Sequence, residues 1–176
     1  MRQPLRASVT LALPAVHRAL SLHADPELRG EVTGVATDSR DVQPGDLFVA
    51  LVGDKNDGHR FLDAALKSGA AAVLVQRVPR QDPGVPVLTV PDTLVALGEL
   101  ARWWRRRLGI RLIAVTGSNG KTTTKEMIAA VLATHAGSRE RVLVTPGNFN
   151  NYVGLPLTLL GASPEQAVGV VEIGMN

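Results

Sequence analysis

The sequence contains no cysteine, and its aromatic residues are limited to two tryptophans, one tyrosine and three phenylalanines. The absence of cysteine excludes disulfides and thiolate metal sites, and it is typical of a reducing compartment. So few aromatic rings provide no stacking platform for single-stranded nucleic acid. The formal net charge is only +3, and the basic cluster at 102–111 is interpreted as the solvated end of a helix. We therefore expect a cytoplasmic protein without a nucleic-acid partner.

Long hydrophobic runs are also missing. No apolar stretch approaches the roughly 20 residues of a membrane-spanning helix. The first thirteen residues lack a continuous apolar segment followed by a small-residue cleavage site, so no signal peptide is predicted. The four histidines show no metal-ligand spacing and are interpreted as structural or surface residues: His17, His23, His59 and His135.

The stretch Leu112–Glu126 carries the strongest chemical signal. Its first five residues, Leu112–Thr116, form an apolar and partly β-branched run that is typical of a buried parallel strand. A glycine-rich turn follows, and then the apolar pairs at 127/128 and 131/132 have helical spacing. A strand, a glycine-rich loop, Lys-Thr and a helix in this order are the setting of a phosphate-binding loop.

The loop residues suit that chemistry. Gly117 and Gly120 let the backbone approach an anion without a Cβ in the way, and the N–H groups at the helix start favour negative charge. Lys121 can reach the outer phosphates, and the Thr122 hydroxyl can bind Mg²⁺. The loop is shorter than the full G-x-x-x-x-G-K-[ST] pattern, which would need glycine at Val115. The alternative, an ordinary glycine turn, leaves Lys121 and three consecutive threonines unexplained.

Strand and helix patterns alternate along the chain, which predicts parallel α/β architecture. The fold class is α/β, and a boundary at about 108–110 separates a domain at 1–108 from one at 109–176. Pro86 suggests that the strand at 85–90 lies at a sheet edge. The second unit is short for a doubly wound sheet, so we expect the chain to be the front part of a longer protein. Strands are predicted at 30–37, 47–52, 70–75, 85–90, 112–116, 141–145 and 168–173, and helices at 14–22, 59–68, 92–108, from 121 onward and at 155–160.

Glu172 ends the last apolar strand, where α/β sheets present ligand-binding groups. Mg²⁺ at a nucleotide site takes one or two carboxylates plus phosphate oxygens. Position alone also allows a carboxylate at the sheet edge with no ligand.

Two further polar groups remain ambiguous from their residues. Asp38-Ser39-Arg40 could hold an anion, although a link between a strand and a turn is the favoured interpretation. Asn148, Asn150 and Asn151 offer dense amide donors and acceptors, but asparagine also favours turns.

Taken together, these motifs resemble the Mur ligases of peptidoglycan synthesis. They occur in the family's order and extend over nearly the whole chain. The asparagine loop is most similar to the members that add D-Ala-D-Ala to UDP-N-acetylmuramoyl-tripeptide, whereas Asp-Ser-Arg is shared with those that add the third amino acid. The stretches that carry the resemblance are Thr37–Arg40, Pro44–Ala50, Asp57–Phe61, Gly69–Val75, Thr116–Thr123, Gly147–Asn151, Gly154–Thr158 and Val171–Gly174.

The resemblance implies an N-terminal domain for the uridine nucleotide followed by the first part of a P-loop ATPase domain. It implies ATP-dependent amide formation through an acyl phosphate, with Lys121 and Glu172 as catalytic residues and Thr122 and Glu172 as Mg²⁺ ligands. The implied ATP-binding residues are Gly117, Ser118, Asn119, Gly120, Lys121, Thr122 and Thr123. The implied substrate-binding residues are Thr37, Ser39, Arg40, Asp54, Lys55, Asn56, Asn148, Asn150 and Asn151.

The family's remaining catalytic groups and its C-terminal domain would follow Asn176, so we expect this chain to be inactive alone and the full-length protein to be a monomer. Two alternatives stay open. One is a Mur ligase that adds the third amino acid to UDP-N-acetylmuramoyl-dipeptide. The other is a non-catalytic nucleotide-binding module.

Overall fold

A computed structural model describes residues 4–23, 25–53 and 56–174. Its contacts divide the chain into two compact units, Met1–Leu100 and Ala101–Asn176. The division falls inside a helix at Thr93–Leu108, a few residues before the predicted boundary. The assignment of 1–108 to the uridine substrate and of 109–176 to ATP stays a prediction.

The first unit is a five-stranded sheet with helices, in the strand order β1-β2-β3-β4-β5. Strands β2 to β5 run parallel, whereas β1 pairs antiparallel with β2. Strands β3 and β4 are buried along their whole length, as expected for strands in the middle of a covered parallel sheet. The elements are β1 Arg6–Ala12, α1 Leu13–Ala19, β2 Glu31–Ala36, β3 Asp46–Val49, a 3₁₀ turn Gly58–Phe61, α2 Leu62–Lys67, β4 Ala72–Val75, β5 Val87–Thr89 and the start of α3 Thr93–Leu108.

Strand β1 is not among the predicted strands, and it adds an antiparallel pair to an otherwise parallel sheet. Its apolar residues Ala7, Val9 and Leu11 are buried, and the residues between them are exposed. This alternation is the signature of a strand with one covered face. The predicted edge position of the strand near Pro86 is confirmed, because β5 is the last strand of the sheet.

A buried ion pair ties β1 to β3. The Asp46 carboxylate is fully buried and receives Arg6 Nε at 2.6 Å and Arg6 Nη2 at 2.7 Å, with the Gln43 N–H at 2.9 Å. A Cβ at Gly34 would lie 2.3 Å from Asp46 Oδ1 and 2.5 Å from Arg6 Nη2. Glycine at position 34 therefore makes room for the pair.

The second unit contains a three-stranded parallel sheet in the order β6-β8-β7. Because all three strands are parallel, their carboxyl ends meet at one edge, and Val115 of β6 pairs with Glu172 of β8 there. None of the helices that the structure describes is long and apolar enough to cross a membrane. The elements after α3 are β6 Arg111–Val115, α4 Lys121–Ala136, β7 Val142–Val144, α5 Gly154–Leu160 and β8 Val168–Glu172, which confirm the positions of the predicted strands and helices of this unit. The predicted burial of β6 is wrong, because only Val115 of this strand is buried. Within the described residues β6 lies at the edge of its sheet.

Candidate nucleotide and metal site

The loop between β6 and α4 has the backbone that its glycines predicted. Gly117 has φ 141° and Gly120 has φ 73°, conformations that residues with a Cβ rarely adopt. Thr124 N donates to Gly120 O at 2.9 Å, which closes the first helical turn. The N–H groups before Thr124 have no acceptor inside the helix. The start of a 16-residue helix therefore presents donors and a positive dipole end beside the loop.

Lys121 lies across this loop. Its Nζ donates to Gly117 O at 2.6 Å, and the side chain is half-buried. Ser118, Asn119 and Thr123 are exposed around it. The ammonium thus stands at the place where an anion on the loop would need a positive charge.

The two predicted metal ligands are in contact. Thr122 Oγ1 donates to Glu172 Oε2 at 2.9 Å, and Glu172 is only 3% exposed. A hydroxyl and a carboxylate are hard oxygen donors of the kind that Mg²⁺ prefers. Within 4–23, 25–53 and 56–174, no group of three or more His, Cys, Asp or Glu could hold a metal ion. A single carboxylate beside a phosphate loop fits Mg²⁺, which takes its other ligands from phosphate and water.

One asparagine of the loop after β7 reaches the same carboxylate. Asn150 Nδ2 donates to Glu172 Oε1 at 2.9 Å, and Asn150 O accepts from Gly174 N at 2.7 Å. Both carboxylate oxygens of Glu172 therefore have a neutral hydrogen-bond donor.

The other two asparagines lie elsewhere. Asn151 Oδ1 accepts from Val153 N at 3.1 Å and from Gly154 N at 2.8 Å, so its side chain stabilises the start of α5. Asn148 is exposed, and its carbonyl accepts from Asn150 N at 2.8 Å. Their predicted contact with substrate stays a prediction.

The charge of Glu172 is set by opposing effects. Burial, the largest single contribution, raises the pKa of the carboxyl. The hydrogen bonds from Asn150 and Thr122 and the charges of Lys125 and Lys121 act against it, and together they hold the pKa below its ordinary value. Glu172 is therefore ionised at neutral pH.

Lys125 was not predicted as a site residue. It is 1% exposed, and its Nζ donates to Thr145 O at 2.9 Å. The same atom lies 3.2 Å from Glu126 Oε1 and 4.0 Å from Glu172 Oε2. The available signal was its spacing: Lys125 follows Thr122 by three residues and so shares its helix face.

The predicted uridine-site residues follow two neighbouring strands of the first unit. Ala36 at the end of β2 pairs with Phe48 of β3, so the segments 37–40 and 50–53 leave the same edge of the sheet. Thr37 N and Oγ1 donate to Leu5 O at 2.9 Å and 3.4 Å. Ser39 is half-buried and Asn56 is exposed. Asp54 and Lys55 lie outside the described residues.

Arg40 is 71% exposed at its side chain and is oriented by Asp38. Its Nε donates to Asp38 Oδ1 at 2.9 Å and its Nη2 to Oδ2 at 2.5 Å. The hydrogen bond with Asp38 raises the pKa of the guanidinium further. Arg40 therefore presents a fixed positive charge to solvent.

Two protein-family models match the chain. Residues 31–105 match the model of the Mur ligase family, catalytic domain, and residues 115–176 match the Mur ligase middle domain. The chain belongs to the Mur ligase family.

Among curated relatives of this Mur ligase chain is the UDP-N-acetylmuramoyl-tripeptide–D-alanyl-D-alanine ligase of Bacillus subtilis. It is 48% identical over 155 residues, which cover 87% of the chain and 33% of the relative. The UDP-N-acetylmuramoyl-L-alanyl-D-glutamate–2,6-diaminopimelate ligase of Syntrophomonas wolfei is 45% identical over 123 residues, covering 69% and 25%. The chain thus spans about a third or less of the length of these relatives.

Solved structures show the same fold. The UDP-N-acetylmuramoylalanyl-D-glutamyl-2,6-diaminopimelate–D-alanyl-D-alanyl ligase from Acinetobacter baumannii superposes with a TM-score of 0.80 at 35% identity, over 92% of this Mur ligase chain and 35% of its own. MurF ligase from Thermotoga maritima in complex with ADP gives a TM-score of 0.66 at 37% identity, over 78% and 31%. The predicted α/β fold is confirmed.

Proposed function

We propose that this chain is part of an ATP-dependent ligase of peptidoglycan precursor synthesis. The ligase adds D-Ala-D-Ala to UDP-N-acetylmuramoyl-tripeptide through an acyl phosphate. The observation that carries the proposal is the contact of Thr122 with Glu172 beside the phosphate loop. We further propose that the protein works in the cytoplasm as a monomer, without nucleic-acid or membrane partners.

In this proposal the second unit holds Mg·ATP. The backbone of Gly117, Ser118, Asn119, Gly120 and Thr123 cradles the phosphates, and Lys121 neutralises their charge. Thr122 and Glu172 hold Mg²⁺, which when bound supplies charge stabilisation for transfer of the γ-phosphoryl group to the substrate carboxylate. Lys121 and Glu172 are the catalytic residues, since phosphoryl transfer depends chiefly on positioning and charge neutralisation.

The first unit holds the uridine nucleotide in this proposal. The exposed guanidinium of Arg40 can make charged hydrogen bonds to a diphosphate. Thr37 and Ser39 precede Arg40 in the chain, and Asp54, Lys55 and Asn56 are also proposed to bind the substrate. Asn148, Asn150 and Asn151 are also proposed to bind substrate.

Nucleotide binding is tested first, by calorimetric titration of the chain with ADP and Mg²⁺. Lys121→Ala is expected to weaken binding about tenfold or more, because a charged partner of the phosphates is lost. Lys67→Ala, at an exposed lysine of α2, is the matched control and should bind as the wild type does. Absence of binding by the folded wild-type chain would refute the nucleotide site.

The uridine site is tested by titration with UDP-N-acetylmuramoyl-tripeptide. Arg40→Ala should weaken binding by about 1.5–3 kcal/mol. Arg80→Ala, in the loop before β5, provides a control that also removes one positive charge. Equal affinities of the Arg40 variant and the wild type would remove Arg40 from the site.

Addition of the third amino acid is the second candidate, since the Syntrophomonas wolfei relative is a ligase of that kind. A chimera can distinguish the two candidate functions. In it, this chain replaces the corresponding third of the Bacillus subtilis relative. Binding of UDP-N-acetylmuramoyl-tripeptide in preference to the dipeptide form, together with ATP-dependent joining of D-Ala-D-Ala, supports the first function. Preference of the chain alone for the dipeptide form would favour the second.

A further inference from the structure

A buried lysine closes a ring of contacts around the predicted metal carboxylate. Lys125 Nζ donates to Thr145 O at 2.9 Å. Thr145 Oγ1 accepts from Glu172 N at 2.9 Å, and Glu172 Oε2 lies 4.0 Å from Lys125 Nζ. The ring joins α4, the residue after β7 and the last residue of β8.

The burial of this lysine needs a reason, because an ammonium removed from water is costly unless charges and acceptors surround it. Thr145 O supplies an acceptor, and Glu126 and Glu172 supply negative charge. Lys125 Nζ lies 4.0 Å from Glu172 Oε2, which is beyond hydrogen-bond distance, so Lys125 acts on that carboxylate through its charge.

The position on the helix is equally specific. Thr122 and Lys125 are three residues apart on α4 and therefore face Glu172 together. Lys121, one residue before Thr122, turns to Gly117 O instead. The helix thus offers one lysine to the phosphate loop and another to the metal carboxylate.

We propose that Lys125 is a positioning residue, whose buried ammonium holds Glu172 and the end of β7 in the arrangement that receives the metal–nucleotide complex. The proposal rests on the proposed function insofar as Glu172 binds Mg²⁺. Lys125 itself would touch neither nucleotide nor metal.

The test compares Lys125→Met with Lys67→Met, which makes the same chemical change at an exposed lysine of α2. The first measurement is hydrogen exchange of the Glu172 amide in the ligand-free chain. We expect exchange to become about tenfold faster in Lys125→Met and to stay unchanged in Lys67→Met, because the hydrogen bond from Glu172 N to Thr145 Oγ1 loses its support.

The second measurement is ADP affinity with Mg²⁺ and with EDTA, whose ratio gives the gain due to the metal. In Lys125→Met this ratio should be about tenfold smaller than in the wild type, while the ADP affinity in EDTA should stay within about twofold of the wild-type value. A merely structural lysine would lower both affinities together. An unchanged metal gain in a folded Lys125→Met chain would overturn the proposal.

A second pair of variants covers a failure of Lys125→Met to fold. Lys125→Arg keeps the positive charge. Lys125→Gln keeps a hydrogen-bond donor for Thr145 O but removes the charge. The metal gain should be larger in the arginine variant, and equal gains would overturn the proposal. If the wild-type chain binds no ADP, the proposed function fails, while the exchange of the Glu172 amide still decides whether Lys125 supports this strand end.

Discussion

Thr122 and Glu172 lie 50 positions apart in the chain, and a 2.9 Å hydrogen bond joins their side chains. One belongs to the first turn of α4, and the other ends β8. Because the two oxygen donors already lie within hydrogen-bond distance of each other, they need little rearrangement to bind one cation. Preorganisation of this kind lowers the entropic cost of binding.

Substitution of Thr122 should act on the metal and not on the fold. Thr122→Val keeps the shape and removes the hydroxyl, so we expect a loss of about tenfold in ADP affinity with Mg²⁺ and little change in EDTA. Thr122→Ser keeps the hydroxyl and should retain most of the gain. Calorimetry on the three chains checks this, and equal losses in the valine and serine variants would show that the hydroxyl is not used.

Gly154 controls the asparagine loop from the start of α5. A Cβ at this position would lie 2.6 Å from Phe149 Cα, too close for either backbone to stay in place. Gly154→Ala should therefore displace Asn150 from Glu172 and destabilise the second unit by about 1–3 kcal/mol. The measurements are the urea midpoint and the chemical shift of the Asn150 side-chain amide. A native shift in the alanine variant would contradict the steric argument.

Gly34 should be similarly intolerant in the first unit. Gly34→Ala places a methyl group against the buried pair of Arg6 and Asp46, and breaking such a pair costs about 3–5 kcal/mol. The control is Gly98→Ala on α3, where a Cβ meets nothing within 4 Å and alanine favours the helix by up to about 1 kcal/mol. The urea midpoint, measured by circular dichroism, should be lower than the wild-type value for Gly34→Ala and higher for Gly98→Ala.

Stability should depend on pH through Asp57. The hydrogen bond from Arg77, followed by those from the backbone and ring of His59, lowers the pKa of the Asp57 carboxyl well below its ordinary value. A carboxyl with a lowered folded pKa stabilises the protein above its unfolded pKa of about 3.9, and this contribution is lost as the pH falls through the folded pKa.

Asp57→Asn should therefore lower the Tm by a few degrees at pH 5–7, and the difference from wild type should shrink below about pH 4. Thermal melts across this range give the measurement. In a chain that carries Arg77→Ala, Asp57→Asn should lower the Tm by less, because Arg77 is the partner that lowers the pKa of Asp57 most. A difference that stays constant down to about pH 2 would assign the effect to something other than the ionised carboxyl.

Local patterns in the sequence were sufficient for the phosphate loop and the end of β8. The apolar run before Gly117 and the helical spacing after Lys121 are both confined to a few residues, so the strand, loop and helix could be predicted without knowledge of contacts. Glu172 could be predicted as a ligand because the end of a parallel strand is a position defined by the chain itself.

Other parts of the site depend on contacts between distant residues. Nothing in the run Gly147–Asn151 distinguishes Asn150, which reaches Glu172, from Asn151, which stabilises the start of α5. Lys125 looks like any charged residue of a surface helix until β7 and β8 cover it. The antiparallel β1 is different, because the alternation of Ala7, Val9 and Leu11 with other residues is a local pattern that indicates a strand.

Both tryptophans and the only tyrosine of the chain lie in the unit Ala101–Asn176, and Trp104 Nε1 donates to Ala162 O at 3.1 Å. Indole fluorescence therefore reports on that unit alone, whereas far-ultraviolet circular dichroism reports on both. Recorded side by side during denaturation, the two signals show whether the units melt together or one after the other. The chain thus carries an intrinsic optical label on its proposed nucleotide-binding half.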